Sequence, residues 1–154
     1  MKKYLVAAFV ALLGVFNATA QENKTIEVFE CEANKLTVEG STLICTGFGH
    51  LVFPKMDYSN YTGINFEAAN FEKLDEKATS AVCSLKIEYT KNGETVKTSM
   101  GFYRTGKKKI EFKSFKDEKQ GVISIDPSTI TKVSIGMGKN KKVDINNIVL
   151  VAKK

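Results

Sequence analysis

The side chains that most often do chemistry are scarce in this chain. There is one histidine, His50, one arginine, Arg104, and no tryptophan, and the cysteines Cys31, Cys45 and Cys83 are not spaced like a metal site. A catalytic Cys83 would need a base, and His50 is the sole candidate. Cys83 instead alternates with Leu85, Ile87 and Tyr89 in one apolar register, the signature of a small buried hydrophobe. No nucleophile elbow, Ser–His–Asp set or phosphate loop is present. Gly47-Phe48-Gly49 has no helix after it, and Gly136-Met137-Gly138 falls between strands. Glu67, Glu72, Asp75 and Glu76 are close in sequence, and glycoside hydrolysis needs two carboxylates, but acidic loop residues are ordinarily just solvated. The inventory therefore argues against an enzyme.

The chain has 154 residues, 43% hydrophobic and 26% charged, with a formal charge of +6. These proportions exclude a disordered chain and a multi-span membrane protein. Residues 1–20 read as a secretory signal: Lys2 and Lys3, then an uncharged apolar run Tyr4–Phe16, then the small pair Ala18 and Ala20. The run is too short to span a bilayer, which needs roughly 20 residues. The residue directly after the cleavage point is Gln21 and not a cysteine, so the expected product is exported, periplasmic or extracellular, and not lipid-anchored. Cleavage leaves residues 21–154 as a single domain and lowers the charge by two, from +6 to +4. That excess is too small for nucleic acid, and no DNA- or RNA-binding motif accompanies it.

Export also permits disulfides. Cys31 and Cys45, on neighbouring candidate strands, form the candidate pair, worth about 3 kcal/mol if bridged. The odd third cysteine leaves a free thiol or an intermolecular bridge as alternatives.

Period-2 alternation recurs along the chain, as half-buried strands require. Ala81–Thr90 alternates, Asn92-Gly93 marks a tight hairpin turn, and Val96, Thr98, Met100 and Phe102 alternate on the return. Gly106–Lys109 reads as the next turn, followed by Ile110 and Phe112 alternating with Glu111 and Lys113. Val122–Ile125, Thr131–Met137 and Val143–Val151 are further strands. Asp126-Pro127-Ser128 forms a one-turn connector, with Asp as cap and Pro in the first helical position. In the last strand the apolar register shifts from Val143, Ile145 to Ile148, Leu150, which predicts a β-bulge at Asn146-Asn147. Upstream, Thr25–Cys31, Leu36–Glu39, Thr42–Thr46, Leu51–Phe53 and Thr62–Ala68 are strand candidates. Phe71–Ala78 alone has the composition of a short helix or loop. The expected fold is all-β: a two-sheet antiparallel β-sandwich of jelly-roll type with nine or ten short strands.

Two stretches carry a resemblance. Asp57–Phe66, with Gly49–Phe53 leading into it, resembles the Asp-x-Ser-x-Tyr-x-x-aliphatic-x-Phe segment of galactose-binding-like jelly-roll domains. Pro127–Ile135 followed by Val143–Leu150 looks like their closing strand pair. The resemblance is to carbohydrate-binding modules of secreted bacterial proteins, and it implies non-catalytic glycan binding in a Gram-negative envelope. Such domains often hold a structural calcium, but no cluster of oxygen ligands here is dense enough to assign one. No other cofactor is implied.

A sugar site needs a flat ring and polar groups, and Tyr supplies both. Tyr103 beside Arg104 is the first candidate, opposed by the simpler role of an exposed strand Tyr. Tyr58 and Asp57 lie at the mouth of a turn, and His50 at a strand start; Tyr61 reads as core. The lysines at Lys107–Lys109, Lys139–Lys142 and Lys153–Lys154 fit turns and edges that must not pair with other chains. Read functionally, they suit an anionic polysaccharide. The alternatives are an envelope component that binds protein, and a small glycan-active hydrolase.

Overall fold

The computed structural model describes residues 21–77 and 82–154, so the segment 1–20, expected to be a signal, lies outside the described residues. In chain order the strands are β1 Lys24–Ile26, β2 Glu32–Asn34, β3 Thr37–Glu39, β4 Thr42–Cys45, β5 Gly49–Val52, β6 Tyr61–Lys73 and β7 Cys83–Lys91. They continue with β8 Glu94–Phe102, β9 Gly106–Glu111, β10 Phe115–Asp117, β11 Gly121–Ile123, β12 Ile130–Met137 and β13 Lys141–Ala152. Two antiparallel sheets face each other. The first has the order β3-β4-β13-β6-β9, with β1 also on β13; the second has β2-β5-β12-β7-β8. A small β10-β11 hairpin lies against β8, where Glu118 N–H donates to the Ser99 carbonyl.

Alternation explains how the sheets pack. Leu43, Ile64, Phe66, Ile145 and Leu150 point inward from the first sheet; Leu51, Leu85, Ile87 and Ile135 point inward from the second. All are essentially inaccessible to solvent, and aromatic edges close the core, with Phe66 and Phe71 both edge-on to Phe102.

Several local expectations hold in detail. Lys91 pairs with Glu94 across Asn92-Gly93, both at positive φ. Asp126 caps a one-turn 3-10 helix Pro127–Thr129 by accepting the Ser128 N–H. The bulge in β13 falls where the register shifts, with Asn147 at φ 53°. Tyr61 is buried in the core.

Others are corrected. The strands number thirteen among the described residues, and β6 and β13 are long rather than short. Thr25–Cys31 is a strand only to Ile26, after which Val28–Glu30 turns as a 3-10 helix whose Glu30 carboxylate accepts the Glu27 N–H. Of Phe71–Ala78, Phe71–Lys73 continues β6 past a bulge at Asn70 (φ 51°), while Leu74–Lys77 is a loop, as one of the two expected alternatives had it. Ala78 lies outside the described residues. Gly106–Lys109 is not a turn but the start of β9, paired with β6, so Lys107 and Lys109 decorate an edge strand. The two segments that resemble a closing strand pair, β12 and β13, sit in opposite sheets.

The Cys31–Cys45 disulfide is also corrected, since all three cysteines are free thiols. Cys31 follows the 3-10 turn and its thiol points back to the Glu27 carbonyl. Cys45 faces the core at the end of β4, among the carbonyls of Lys35, Gly47 and Met137. Cys31 leads into β2 of the second sheet and Cys45 ends β4 of the first, and the two side chains are aimed at different places.

Candidate functional site

The outward side chains of the second sheet come from one parity of each strand: His50 and Val52 in β5, Ser134 and Gly136 in β12, Ser84, Lys86 and Glu88 in β7, Ser99 and Gly101 in β8. Pairing aligns them in rows across the sheet. One row is Asn34, His50, Gly136, Ser84, Gly101; the next is Glu32, Val52, Ser134, Lys86, Ser99. The first row has glycine at two of five places, and this makes a trough. A Cβ at Gly136 would lie 2.7 Å from Lys86 Cε and 3.1 Å from both Lys86 Nζ and Ser84 Oγ, so those groups already lean over the missing side chain.

The trough opens into a depression of about 330 Å³ with Phe48, His50, Ser84, Lys86, Glu118 and Lys141 among its walls. Through Lys86 it adjoins a second of about 240 Å³, between Glu88, Lys97, Ser99 and Gln120. Two exposed rings stand at the loop end of this face. Phe48, 75% exposed, precedes β5 on the His50 parity; Tyr103, 57% exposed, follows β8 on the Gly101 parity. Three strand spacings separate their strands, roughly 14 Å at about 4.8 Å each. The Arg104 guanidinium lies over the Tyr103 ring, 5.3 Å from its centre, and stiffens it.

The electrostatics of the face are mixed. Glu88 pairs loosely with Lys97 at 3.9 Å, and Glu118 takes the Ser99 hydroxyl at 3.2 Å. The Nδ1 of His50 is shielded and has no hydrogen-bond partner among the described residues. Burial, and then the positive fields of Lys86 and Lys132, hold the imidazole below its ordinary pKa, so it is neutral at pH 7.

Of the residues singled out from sequence, His50, Tyr103 and Arg104 reach this face. Asp57 and Tyr58 do not, because they lie in the loop that leaves the opposite end of β5. Asp57 is exposed, and its carboxylate accepts the Ser59 N–H at 2.8 Å, a turn-forming bond that lowers its pKa. Tyr58 is 2% exposed and edge-on to Phe112 at 6.5 Å, and burial pushes its phenol up. Its ring serves the core, not a ligand. Sequence reasoning missed Phe48, Ser84, Lys86 and the role of Gly136, although a glycine inside an alternating strand does mark close approach.

Three of the four acidic residues considered for hydrolysis are engaged separately. Glu67 faces outward from the first sheet, Glu72 pairs with Lys142 at 3.1 Å, and Asp75 accepts the Lys77 N–H at 2.9 Å. Among the described residues no three His, Cys, Asp or Glu side chains cluster as a metal site. None of the described helices is long and apolar enough to cross a membrane. Elsewhere, a notch of about 460 Å³ opens where β1 and β4 lie end to end along β13, beside the exposed Phe29. It has a single ring and spans no sheet.

No known family profile matches the chain, and no curated protein matches it in sequence. Solved structures do. The chain is similar to a family 11 carbohydrate-binding module from Clostridium thermocellum, in complex with a β-1,3-1,4-mixed-linked tetrasaccharide (TM-score 0.51, 17% identity, 87% of this chain and 98% of that one). It is also similar to part of an agarase (TM-score 0.52, 12% identity, 83% of this chain and 26% of that one). At these identities the likeness establishes the fold alone: a two-sheet β-sandwich like that of the carbohydrate-binding module.

Proposed function

We propose that this β-sandwich is an exported, non-catalytic module that binds a glycan chain across the outward face of its second sheet. One observation carries the reading: a glycine-floored trough with amide, hydroxyl, imidazole and ammonium groups along it, and exposed rings at both sides of one end. Rings supply flat apolar contact to sugar faces, and the polar groups meet hydroxyls. A shallow open trough suits a chain that passes over it rather than a small molecule it would enclose.

The test is a glycan array followed by affinity electrophoresis of the purified protein. Phe48→Ala and Tyr103→Ala each weaken binding by about threefold to tenfold, the value of one aromatic contact. Gly136→Ala weakens it further, because the new methyl displaces Lys86 into the trough. Phe29→Ala, at the notch, leaves it unchanged. Silence across the array, or loss of binding in Phe29→Ala alone, would overturn the assignment. Silence would favour the other class, a protein-binding envelope component.

A further inference from the structure

One wall of the trough holds a charge with little to satisfy it. Lys141 is only 6% exposed, and its ammonium, with three donors, finds a single acceptor, the Val82 carbonyl at 3.1 Å. No carboxylate lies within ion-pair distance of it among the described residues. All seventeen Asp and Glu are among those residues, since 1–20 and 78–81 contain neither. Lys86 likewise has no carboxylate partner.

The two ammonium groups flank one short stretch of backbone. Lys86 Nζ lies 3.1 Å from where a Gly136 Cβ would stand, and Lys141 Nζ lies 3.0 Å from where a Gly138 Cβ would stand. Those positions are two residues apart, roughly 7 Å along extended chain. Ser84 Oγ converges on the Gly136 point as well, at 3.1 Å. Glu118, the carboxylate on this wall, accepts the Ser99 hydroxyl through one oxygen and lays the other 2.6 Å from where a Gly101 Cβ would stand, two strands, roughly 10 Å, from Gly136. A buried ammonium short of acceptors is costly unless an anion completes it, and a charge-assisted hydrogen bond is the strong kind.

We propose that the trough takes an acidic glycan, holding a carboxylate or sulfate ester of the chain between Lys86 and Lys141, with Ser84 as a further donor. This rests on the glycan reading above and narrows its ligand class. Lys107 and Lys109, on the edge of the other sheet, have no part in it.

The experiment compares matched polymers on the full protein: polygalacturonate with its methyl-esterified form, and ι-carrageenan with its desulfated form. At least one acidic polymer binds about tenfold more tightly than its neutral partner. The pair that responds identifies carboxylate or sulfate as the group. Lys86→Met and Lys141→Met each abolish that preference, while the double variant K107M/K109M keeps it. Thermal melting checks that Lys141→Met is folded; Lys86→Met, on an open strand face, carries the test if it is not. Equal binding of acidic and neutral polymers would overturn the anion subsite and leave the glycan module standing. A preference that survives Lys86→Met, or vanishes in the K107M/K109M protein, would overturn its location. No binding to any polymer would overturn both.

Discussion

Replacing Asp117 tests how the wall of the trough is held. Asp117 is 8% exposed and closes the β10-β11 turn against β8. One carboxylate oxygen accepts the Thr98 hydroxyl and the Ser99 N–H at 3.0 Å; the other accepts the N–H groups of Lys119 at 2.8 Å and Gln120 at 2.7 Å. In Asp117→Asn, one side keeps its oxygen for the turn amides, while the new amide group meets the Ser99 N–H as donor against donor. Losing one hydrogen bond to a charged acceptor costs about 2 kcal/mol, and Asp117→Ala, which loses all four, about twice that. For a domain of this size the expected fall in Tm is about 6–8 °C for Asn and about 12–16 °C for Ala. The Thr98 hydroxyl, and then the backbone amides, hold the Asp117 carboxyl at about 2, against 3.8 for a free Asp. A depressed carboxyl stabilises the fold above the unfolded value and loses that contribution as pH falls toward 2. Melting curves of the wild type and Asp117→Asn should therefore converge between about pH 4 and pH 2. A gap under about 2 °C at pH 7, or one that stays constant in acid, would refute the reasoning.

Two further perturbations probe the frame. Gly63→Ala places a methyl 2.2 Å from the backbone carbonyl oxygen of Ile110, which cannot yield as a side chain could, so β9 must part from β6. The expected loss is at least about 2–3 kcal/mol, read as a lower urea midpoint, and an unchanged midpoint would contradict the close approach. The thiols are tested with a chromogenic disulfide reagent. Burial, foremost, pushes Cys31 and Cys83 up to about 12, and Cys45 is sealed in the core. The native protein should react slowly at all three, and the unfolded, unreduced protein should titrate three thiols; one would reveal a bridge.

Legibility differed between the fold and the face. Hairpin, cap and β13 bulge were readable because each depends on two or three adjacent residues: Asn92-Gly93 for positive φ, Asp126 before Pro127 for a cap, and a one-residue slip of register at Asn146-Asn147. The Asn70 bulge was not, because the charged residues that follow Phe71 have the composition of a helix or loop and hide the continuation of β6. Tyr58 shows the same limit for a site. A Tyr beside an Asp turn looks available for a ligand, yet whether it turns out or in depends on Phe112, 54 positions later in the chain.

From composition and periodicity alone follow an all-β sandwich, the parity of its core, and a side-chain inventory with one histidine, one arginine and no tryptophan. These are consequences of the two-residue repeat and of which residue types exist at all. Only the tertiary structure decided which outward residues share a face. His50, Ser84 and Gly101 are scattered over three strands, and hydrogen-bond register across β5, β12, β7 and β8 sets them in one row. Burial of Lys141 beneath the end of that row is likewise a property of the packed sandwich. A lysine in a turn sequence reads as solvated until the strands around it close over its stem.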